Sequence, residues 1–319
     1  MVLDWHPTAS IAVLRKRADL TGRIREYFRR CGVMEVMTPV VSRNGTTEPG
    51  LRNRVLENRP GHPRQFLRTS PEAAMKRLLA AGSGDIYQLG PVFRDDEISR
   101  LHLPEFTLLE WYRIGLDHHQ LMDEVDTILN VVGLDRSIER VSYAALWEEV
   151  LGVNPHMIST ARLRQIGRMT NFGLTESNTE DRAALFDRIY VHYLEHALAG
   201  RGAVFVYDFP IELRGYACRS PSCDSTAERF ELIIDGVEIA NGYHEISDSE
   251  EQQACFEEEN ALRAKRGLPV IVPDTKWLDA LTHGFPSCSG VAIGLERLIM
   301  VMDNIEDFGG AVSFAFDLF

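Results

Sequence analysis

The stretch "DIYQLGPVFRDDEISRLHLPEFTLLEWYR", residues 85–113, decides the fold. Its two ends, 85–93 and 106–113, are rich in β-branched, aromatic and other apolar residues, and the segment between them is strongly charged. Two such ends around a polar loop are typical of a long antiparallel hairpin. The stretch therefore predicts two neighbouring strands of an antiparallel sheet.

The charged loop of this hairpin has the side chains that an anionic ligand needs. Arg94 ends the first strand, where its planar guanidinium can hold a phosphate through two hydrogen bonds. Arg100 and His102 add positive charge suited to a polyphosphate, and Phe106 offers a face for stacking. Acids that can accept hydrogen bonds from an amine follow Arg94: Asp95, Asp96 and Glu97. From this segment alone, a solvated charged turn is an equal alternative.

Composition restricts the class of protein. The chain has 319 residues, of which 45% are hydrophobic and 25% charged, enough for one large domain or two small ones. The net charge of −13 argues against a large tRNA or DNA footprint, because phosphate binding needs a basic face. The apolar runs are too short to span a membrane, and the start of the chain does not resemble a signal peptide. Five cysteines, an odd number scattered along the chain, predict a reducing, cytoplasmic environment.

Cys218 and Cys223, separated by four residues, raise the question of a metal site. Zinc sites usually need a second cysteine pair or histidines at short spacing. The sequence has neither near this pair, so it does not predict zinc here.

The order of predicted elements indicates an α+β fold around an antiparallel sheet flanked by helices. Ser10 is a suitable N-cap for the first helix, Pro39 interrupts the strand that follows, and Pro71 suits the start of a second helix. Gly294 lies where a strand turns into a helix. The predicted segments are a helix at 10–31, the hairpin at 85–113, a mostly helical insertion at about 116–200, strands at 203–246, a charged helix at 249–267 and a strand–helix unit at 288–303.

A second group of candidate residues lies in "DGVEIANGYHEI", 235–246. On a regular strand Glu238 lies on the face of Ala240, Gly242 and His244, and Asn241, Tyr243 and Glu245 lie on the other, unless Gly242 marks a bulge. Carboxylates on a sheet floor can bind Mg²⁺ or a substrate ammonium. The alternative is an exposed strand with surface acids, but Asn and Gly inside a strand count against it.

The third group is "GVAIGLERL", 290–298. Small residues followed by Arg297 at a helix start can bring a helix N-terminus and a guanidinium to an anion. A tightly packed strand–helix junction explains the same pattern.

In chain order, the strand segment with Thr38-Pro39, the hairpin at 85–113 and the small-residue strand that ends in Glu296-Arg297 resemble motifs 1, 2 and 3 of the class II aminoacyl-tRNA synthetase catalytic domain. The segments "TSPEAAMKRLL", "PEFTLLEWYR", "EIANGYHE" and "CSGVAIG" are similar to one branch, the elongation factor P lysine ligases, which are stand-alone paralogues of lysyl-tRNA synthetase. The resemblance implies one catalytic domain over 1–319, with motif 1 at about 32–45, motif 2 at 85–113 and motif 3 at 288–303. It also implies no anticodon-binding domain, no tRNA substrate, and a homodimer through 32–45 and the preceding helix.

The resemblance implies a chemistry in which ATP and Mg²⁺ activate an amino acid as an adenylate, and the acyl group passes to a lysine side chain of elongation factor P. Arg94 matches the motif 2 arginine on the α-phosphate, Arg297 the motif 3 arginine on the γ-phosphate, and Phe106 the ring that stacks on adenine. The implied nucleotide contacts are Arg94, Asp96, Glu97, Arg100, His102, Phe106, Glu238, Ile239, Gly294 and Arg297, with Mg²⁺ on Glu238 and Glu245.

The resemblance also implies an amino-acid pocket. Related aspartyl enzymes have an arginine where this chain has Glu245, so a glutamate there should bind an ammonium, as in a lysine-like substrate. Ala292 stands where lysyl-tRNA synthetases have glycine, a change that accompanies a preference for (R)-β-lysine in the ligase branch. The implied contacts are Ser70, Glu72, Tyr112, Asn241, Tyr243, Glu245, Gly290 and Ala292.

The chain departs from the branch at three places. Asp96 replaces a glutamate and Leu103 an asparagine, and "FPIELRGYACRSP" (209–221) replaces a stretch of small residues in the pocket wall. Arg214 in that stretch either joins the pocket, which suits a substrate with an extra carboxylate, or pairs with Glu212 at the surface.

Three hypotheses remain open from the sequence. The first is activation of a lysine-like amino acid, most simply (R)-β-lysine, for elongation factor P. The second is a paralogue with the same adenylation chemistry but another amino acid, or a small-amine or carrier-protein acceptor. The third is a non-catalytic module that keeps the fold, against which Arg94, Glu238, Glu245 and Arg297 count.

Overall fold

The hairpin predicted at 85–113 is present in the computed structural model, which describes residues 5–57, 61, 63–95, 98–169 and 181–315. Its strands run from Ile86 to Phe93 and from Glu105 to Ile114, and Phe93 pairs with Glu105 at the loop end. The chain divides into two compact units, residues 1–135 with 245–319, and residues 136–244.

The first unit holds the hairpin and most of the predicted helices. Its elements are α1 (Ile11–Arg30), β1 (Met34–Glu35), β2 (Val41–Ser42), β3 (Phe66–Leu67), α2 (Glu72–Ala80), β4 (Ile86–Phe93), β5 (Glu105–Ile114), α3 (His118–Val132), α8 (Ser249–Lys265), α9 (Thr275–Thr282), β11 (Cys288–Gly294) and α10 (Leu295–Asp303).

The sheet of the first unit has the strand order β1-β4-β5-β11. The pairs β4–β5 and β5–β11 are antiparallel, and only the short β1 pairs in parallel with β4. Phe28 of α1 stacks on Tyr87 at 4.3 Å between ring centroids and meets Trp111 edge-on at 5.6 Å. This aromatic cluster fixes one face of the hairpin against a helix.

The second unit contains the predicted helical insertion and the second group of candidate residues. Its elements are β6 (Ile138–Ser142), α4 (Tyr143–Leu151), α5 (Thr160–Arg168), α6 (Arg182–Ile189), a π-helical turn (Tyr190–Leu194), α7 (Glu195–Ala199), β7 (Ala203–Pro210), β8 (Arg219–Ser220), β9 (Cys223–Ile234) and β10 (Val237–His244). Its strand order is β10-β9-β7-β6, with β8 beside β9. Among the described strands of this unit, β6 and β7 pair in parallel and the other pairs are antiparallel.

The predicted α+β class with a mostly antiparallel sheet is confirmed, with one addition. Strand β6 lies inside the segment predicted to be mostly helical. It was missed because its sequence, "IERVS", is short and half-exposed, and its pairing with β7 is a tertiary effect. Among the described residues, no helix has the length and apolar character needed to cross a membrane.

Candidate active site

Arg94 lies at the loop end of the hairpin, and one buried nitrogen of its guanidinium has no hydrogen-bond partner among the described residues. Its backbone N–H donates to Pro104 O at 3.0 Å, which closes the loop end. Its guanidinium carbon lies 5.0 Å from the Phe106 ring centroid, and no described residue hydrogen-bonds to its buried Nε. Because a buried polar atom is rarely left without a partner, this arrangement fits an anionic ligand at Arg94. An adenine predicted on Phe106 would use the ring face that Arg94 does not cover.

The hairpin loop also contacts the predicted motif 3 arginine. Arg297 Nη2 lies 2.8 Å from His102 Nε2, and His102 Nδ1 lies 2.8 Å from Ser99 Oγ. A guanidinium only donates, so His102 Nε2 accepts and Nδ1 carries the hydrogen. The structure therefore brings together two predicted nucleotide residues that are 195 positions apart in the chain.

A buried acid anchors the helix turn on which Arg297 lies. The neighbouring Glu296 is 1% exposed, accepts a hydrogen bond from Thr107 N at 2.9 Å and pairs with Arg17 Nη1 at 2.8 Å. These contacts tie the first turn of α10 to β5 and α1. Glu296 therefore has a structural role, and the side chain of Arg297 is directed to the hairpin loop.

Asp96 and Glu97 lie outside the described residues. Arg100 is exposed, and its carbonyl accepts a hydrogen bond from Phe308 N at 3.0 Å. Gly294 is the last residue of β11 and the N-cap of α10, as the sequence predicts.

The predicted amino-acid pocket of the first unit is built around a buried lysine that the sequence did not single out. Lys76 Nζ lies 2.8 Å from Glu72 Oε1 and 2.6 Å from Glu245 Oε2, and its side chain is 0% exposed. It also lies 4.7 Å from the ring centroid of Trp277 on α9. Lys76 is therefore an internal ammonium bound by two of the acids that were predicted to bind substrate.

Glu110 is a third acid in this pocket, and it was also missed. Its Oε2 accepts from Ser70 Oγ at 2.8 Å, and its Oε1 accepts from Tyr112 Oη at 2.8 Å. Ser70 Oγ in turn accepts from Glu72 N at 3.0 Å. The signal was available in "LLEWY", because Glu110 lies two residues before Tyr112 and so shares its strand face.

Burial changes the proton affinity of these groups. It raises the pKa of Glu110 to about 7, helped by Glu72 and opposed by Ser70 and Tyr112. It also raises the pKa of Glu245, although Lys76 works in the opposite direction. Burial alone would lower the pKa of Lys76, but Glu245 and Glu72 outweigh it and raise that pKa. Three carboxylates face one ammonium, so the cluster lacks positive charge.

A close approach at Gly290 shapes the pocket wall. A Cβ at this position would lie 2.4 Å from Tyr112 Cε1 and 2.6 Å from Glu245 Oε1. Oε1 of Glu245 is thus the carboxylate oxygen on the Gly290 side, whereas Oε2 lies 2.6 Å from Lys76 Nζ. Ala292 pairs with Glu110 across β11 and β5, as Gly290 pairs with Tyr112, so both point to the pocket face. The metal prediction for Glu245 fits these surroundings less well than its ammonium prediction, because an ammonium already occupies Oε2.

In the second unit, a bulge rearranges the predicted faces of β10. The register pairs are Glu238 with Ile233, Ala240 with Leu232, Asn241 with Glu231 and Tyr243 with Arg229, with the irregularity at Ile239. The extra residue turns Glu238 onto the face of Asn241 and Tyr243. The regular-strand prediction, which put Glu238 on the opposite face, was therefore wrong, and so was the suggestion that Gly242 marks the bulge.

This rearranged face carries polar groups suited to a ligand. Glu238 is exposed, and no described residue hydrogen-bonds to the buried Oδ1 of Asn241. Burial raises the pKa of Glu231, against the pull of Arg229, and Glu238 raises it further. An exposed carboxylate beside a second one fits a hard cation such as Mg²⁺.

The divergent segment 209–221 does not match the surface-pair prediction. Glu212 Oε1 lies 2.5 Å from Arg182 Nε, and Arg214 is only 8% exposed. Gly215 has φ of +57°, and a Cβ there would lie 2.8 Å from Tyr243 Oη. Arg214 is thus buried, beside a glycine that packs against a predicted site residue.

Comparison with known proteins agrees with this arrangement. Residues 1–316 match the family model described as tRNA synthetases class II (D, K and N). The chain is 41% identical over 322 residues to a protein of Vibrio vulnificus named elongation factor P--(R)-beta-lysine ligase, with all of both chains covered. Proteins of the same name from Vibrio cholerae and Yersinia enterocolitica are 42% and 40% identical, over 98% of this chain and 98% and 97% of theirs. The predicted family is therefore confirmed, and the chain belongs to the class II tRNA synthetases of the D, K and N group.

Proposed function

We propose that this protein activates (R)-β-lysine, or a closely related lysine-like amino acid, with ATP and joins it to a lysine side chain of elongation factor P. The observation that carries the proposal is the pocket of Glu72, Glu110 and Glu245 around a single internal ammonium. A pocket short of positive charge favours a substrate that brings an ammonium. The names of the relatives support the choice of amino acid and acceptor.

The nucleotide is assigned to the hairpin loop and the start of α10. Arg94, whose buried Nε has no hydrogen-bond partner among the described residues, fits the α-phosphate. Arg297, in the helix turn that Glu296 ties to β5, fits the outer phosphates. Mg²⁺, which we assign to Glu238, supplies charge neutralisation on the polyphosphate when bound. Asp96, Glu97, Arg100, His102, Phe106, Ile239 and Gly294 complete the proposed nucleotide set.

Glu245 and its neighbours are assigned to the substrate ammonium. Oε1 of Glu245, on the Gly290 side, is the acceptor for it, while Lys76 fixes Oε2. Tyr112 and Ser70 are positioned by their hydrogen bonds to Glu110. Glu72, Gly290 and Ala292 complete the proposed set in the first unit, and the family resemblance adds Asn241 and Tyr243.

The chemistry is positioning and charge neutralisation. A substrate carboxylate oxygen attacks the α-phosphorus and pyrophosphate leaves, so the charge that develops on the phosphate faces Arg94. The ε-amine of the acceptor lysine then attacks the acyl carbon, AMP leaves, and an amide forms with loss of the amine proton. No group of the protein needs to become covalently bound.

We also propose a cytoplasmic homodimer that contacts through 32–45 and α1. Four apolar side chains there are exposed: Ile11 57%, Met34 47%, Met37 95% and Val41 43%. An apolar patch of this kind on a water-facing segment is typical of a protein interface. Light scattering should give twice the chain mass of 36.1 kDa, and a monomer at micromolar concentration would contradict the proposal. The five cysteines are all free, which fits a reducing compartment.

Amino-acid-dependent ATP–pyrophosphate exchange tests the proposal. The panel is lysine, both β-lysine enantiomers, ornithine and dicarboxylic amino acids. We expect the highest kcat/KM with (R)-β-lysine. Preference for a dicarboxylic amino acid would favour the alternative in which the buried Arg214 binds a second carboxylate of the substrate. No exchange with any member would leave a non-catalytic module.

A further inference from the structure

Three potential metal ligands from separate segments converge in the second unit. They are Cys218 Sγ, Glu228 Oε2 and His244 Nδ1, and all three lie within 4.8 Å of one another. Cys218 Sγ is 3.4 Å from Glu228 Oε2, and His244 Nδ1 is 2.5 Å from the same oxygen. Zinc was not predicted at Cys218 because no histidine lies near it in the sequence. The fold supplies one.

The backbone fixes the three ligands relative to one another. Cys218 N donates to His244 O at 2.8 Å, and Glu228 N donates to Cys218 O at 3.0 Å. Tyr243 pairs with Arg229, so the next residues along each strand, His244 and Glu228, face each other across β10 and β9. The convergence is therefore set by sheet register and by main-chain bonds, not by the rotamer of one long side chain.

The distances suit a tetrahedral ion. Zinc bonds of about 2.3 Å to sulfur and about 2.1 Å to oxygen or nitrogen place sulfur and oxygen about 3.6 Å apart in a tetrahedron, and nitrogen and oxygen about 3.4 Å. The first separation matches the observed 3.4 Å. The second requires the His244–Glu228 contact to open by roughly an ångström, as an ion replaces the shared hydrogen.

We propose that Cys218, Glu228 and His244 bind a divalent transition-metal ion, with Zn²⁺ as the favoured ion. Thiolate, imidazole and carboxylate together select a borderline-soft cation over Mg²⁺ or Ca²⁺. Three protein ligands leave a fourth position for water. His244 and Glu228 lie on the sheet face opposite Glu238, Asn241 and Tyr243, so this site is separate from the proposed Mg²⁺ site.

The bound ion would cross-link separate segments of the second unit. Through Cys218, it would join the divergent segment 209–221 to strands β9 and β10. The same segment holds the buried Arg214 and Gly215, which packs against Tyr243. Because metal binding is coupled to local folding, the ion would order this segment on the sheet.

Cobalt substitution of the full-length protein tests the site. Co²⁺ added to metal-free protein should bind one per chain, giving a thiolate-to-cobalt charge-transfer band in the near ultraviolet and the visible bands of tetrahedral cobalt. Zn²⁺ should displace it. Cys218→Ser should remove the charge-transfer band, and His244→Gln should weaken binding about 100-fold or more, since even outer-shell changes cost 10–100-fold.

Cys223→Ser is the matched control, because Cys223 is an exposed cysteine near the same strand end. It should keep both the bands and the affinity, and so should Cys31→Ser. Cobalt bands that persist in Cys218→Ser, or that are lost equally in Cys223→Ser, would overturn the proposal. So would wild-type protein that binds Co²⁺ no better than the variant with both Cys218→Ser and His244→Gln. Circular dichroism of each variant separates loss of the site from loss of the fold. Zn²⁺ should raise the Tm of wild type and not that of Cys218→Ser.

Discussion

Replacing Lys76 by Met removes the only ammonium that contacts Glu72 and Glu245 among the described residues. The lysine side chain is 0% exposed and that of Glu245 is 1%, so neither charge can be replaced by solvent. Loss of one partner of a buried ion pair costs about 3–5 kcal/mol. A methionine of similar volume beside Trp277 recovers part of the packing, so we expect the lower end, about 3 kcal/mol.

Thermal and denaturant unfolding at neutral pH measure this loss, with an expected fall in Tm of roughly 4–5 °C for a chain of 319 residues. Lys16→Met is the matched control. Lys16 pairs with Asp303 at 2.5 Å, but its side chain is 66% exposed, so its removal should cost less than about 1 kcal/mol. Equal losses for the two variants would refute the buried-pair reasoning.

The loss should also depend on pH. Burial raises the pKa of Glu245 above its ordinary 4.5, and removal of Lys76 takes away the main influence that opposes this rise. Between the ordinary and the raised pKa, the folded state holds a proton that the unfolded state has released, so stability falls as pH rises. The difference between the variant and wild type should therefore be smaller at pH 5 than at pH 8. A difference that grows at pH 5 would contradict this sign.

The remaining predictions concern activity. Arg94→Lys keeps the charge but loses the planar fork, so exchange should fall about 10²–10³-fold, whereas Arg30→Lys, on an exposed helix face, should not change it. Gly290→Ala adds a Cβ 2.6 Å from Glu245 Oε1, and an overpacking cost of about 1–3 kcal/mol should raise the KM for the amino acid roughly 5–150-fold, with the KM for ATP nearly unchanged. The pKa of Glu110 is about 7 and that of Glu245 is raised, so the KM for the amino acid should fall as pH rises from 6 to 8, and Glu110→Gln should flatten this profile.

For each of these three activity predictions, one result would contradict the reasoning. If Arg94→Lys keeps the wild-type rate of ATP–pyrophosphate exchange, a positive charge at position 94 is enough and the planar guanidinium is not needed. An equal rise of both KM values in Gly290→Ala would indicate general distortion and not a change in the amino-acid pocket. A KM that rises between pH 6 and 8 would mean that the ionised carboxylates do not bind the substrate.

Helices and strands were predictable from sequence where the cap residues and the apolar pattern lie within the element itself. The helix predicted at 10–31 spans Ile11–Arg30 with Ser10 as its N-cap, because a serine cap and apolar periodicity lie within the segment itself. The hairpin and the strand–helix turn at Gly294 were predictable for the same reason. Arg94 and Arg297 could be selected because each ends or begins an element at a charged loop.

Features that depend on tertiary contacts were not predictable. Lys76 reads as a surface lysine of an amphipathic helix, yet it is fully buried against Glu245 and Trp277, which lie more than 160 positions later. The bulge at Ile239 has no glycine to mark it, so the strand read as regular and Glu238 was placed on the wrong face. Cys218 and His244 meet only through the pairing of β9 with β10 and the backbone bond between them.

Intact mass of elongation factor P tests the central claim most directly. The purified acceptor is incubated with this protein, ATP, Mg²⁺ and (R)-β-lysine, and matched reactions omit ATP or contain the Arg94→Lys variant. We expect a mass increase of one lysyl residue on a single lysine side chain, only in the complete reaction. An unmodified acceptor, in a preparation that carries out (R)-β-lysine-dependent exchange, would contradict the proposed acceptor.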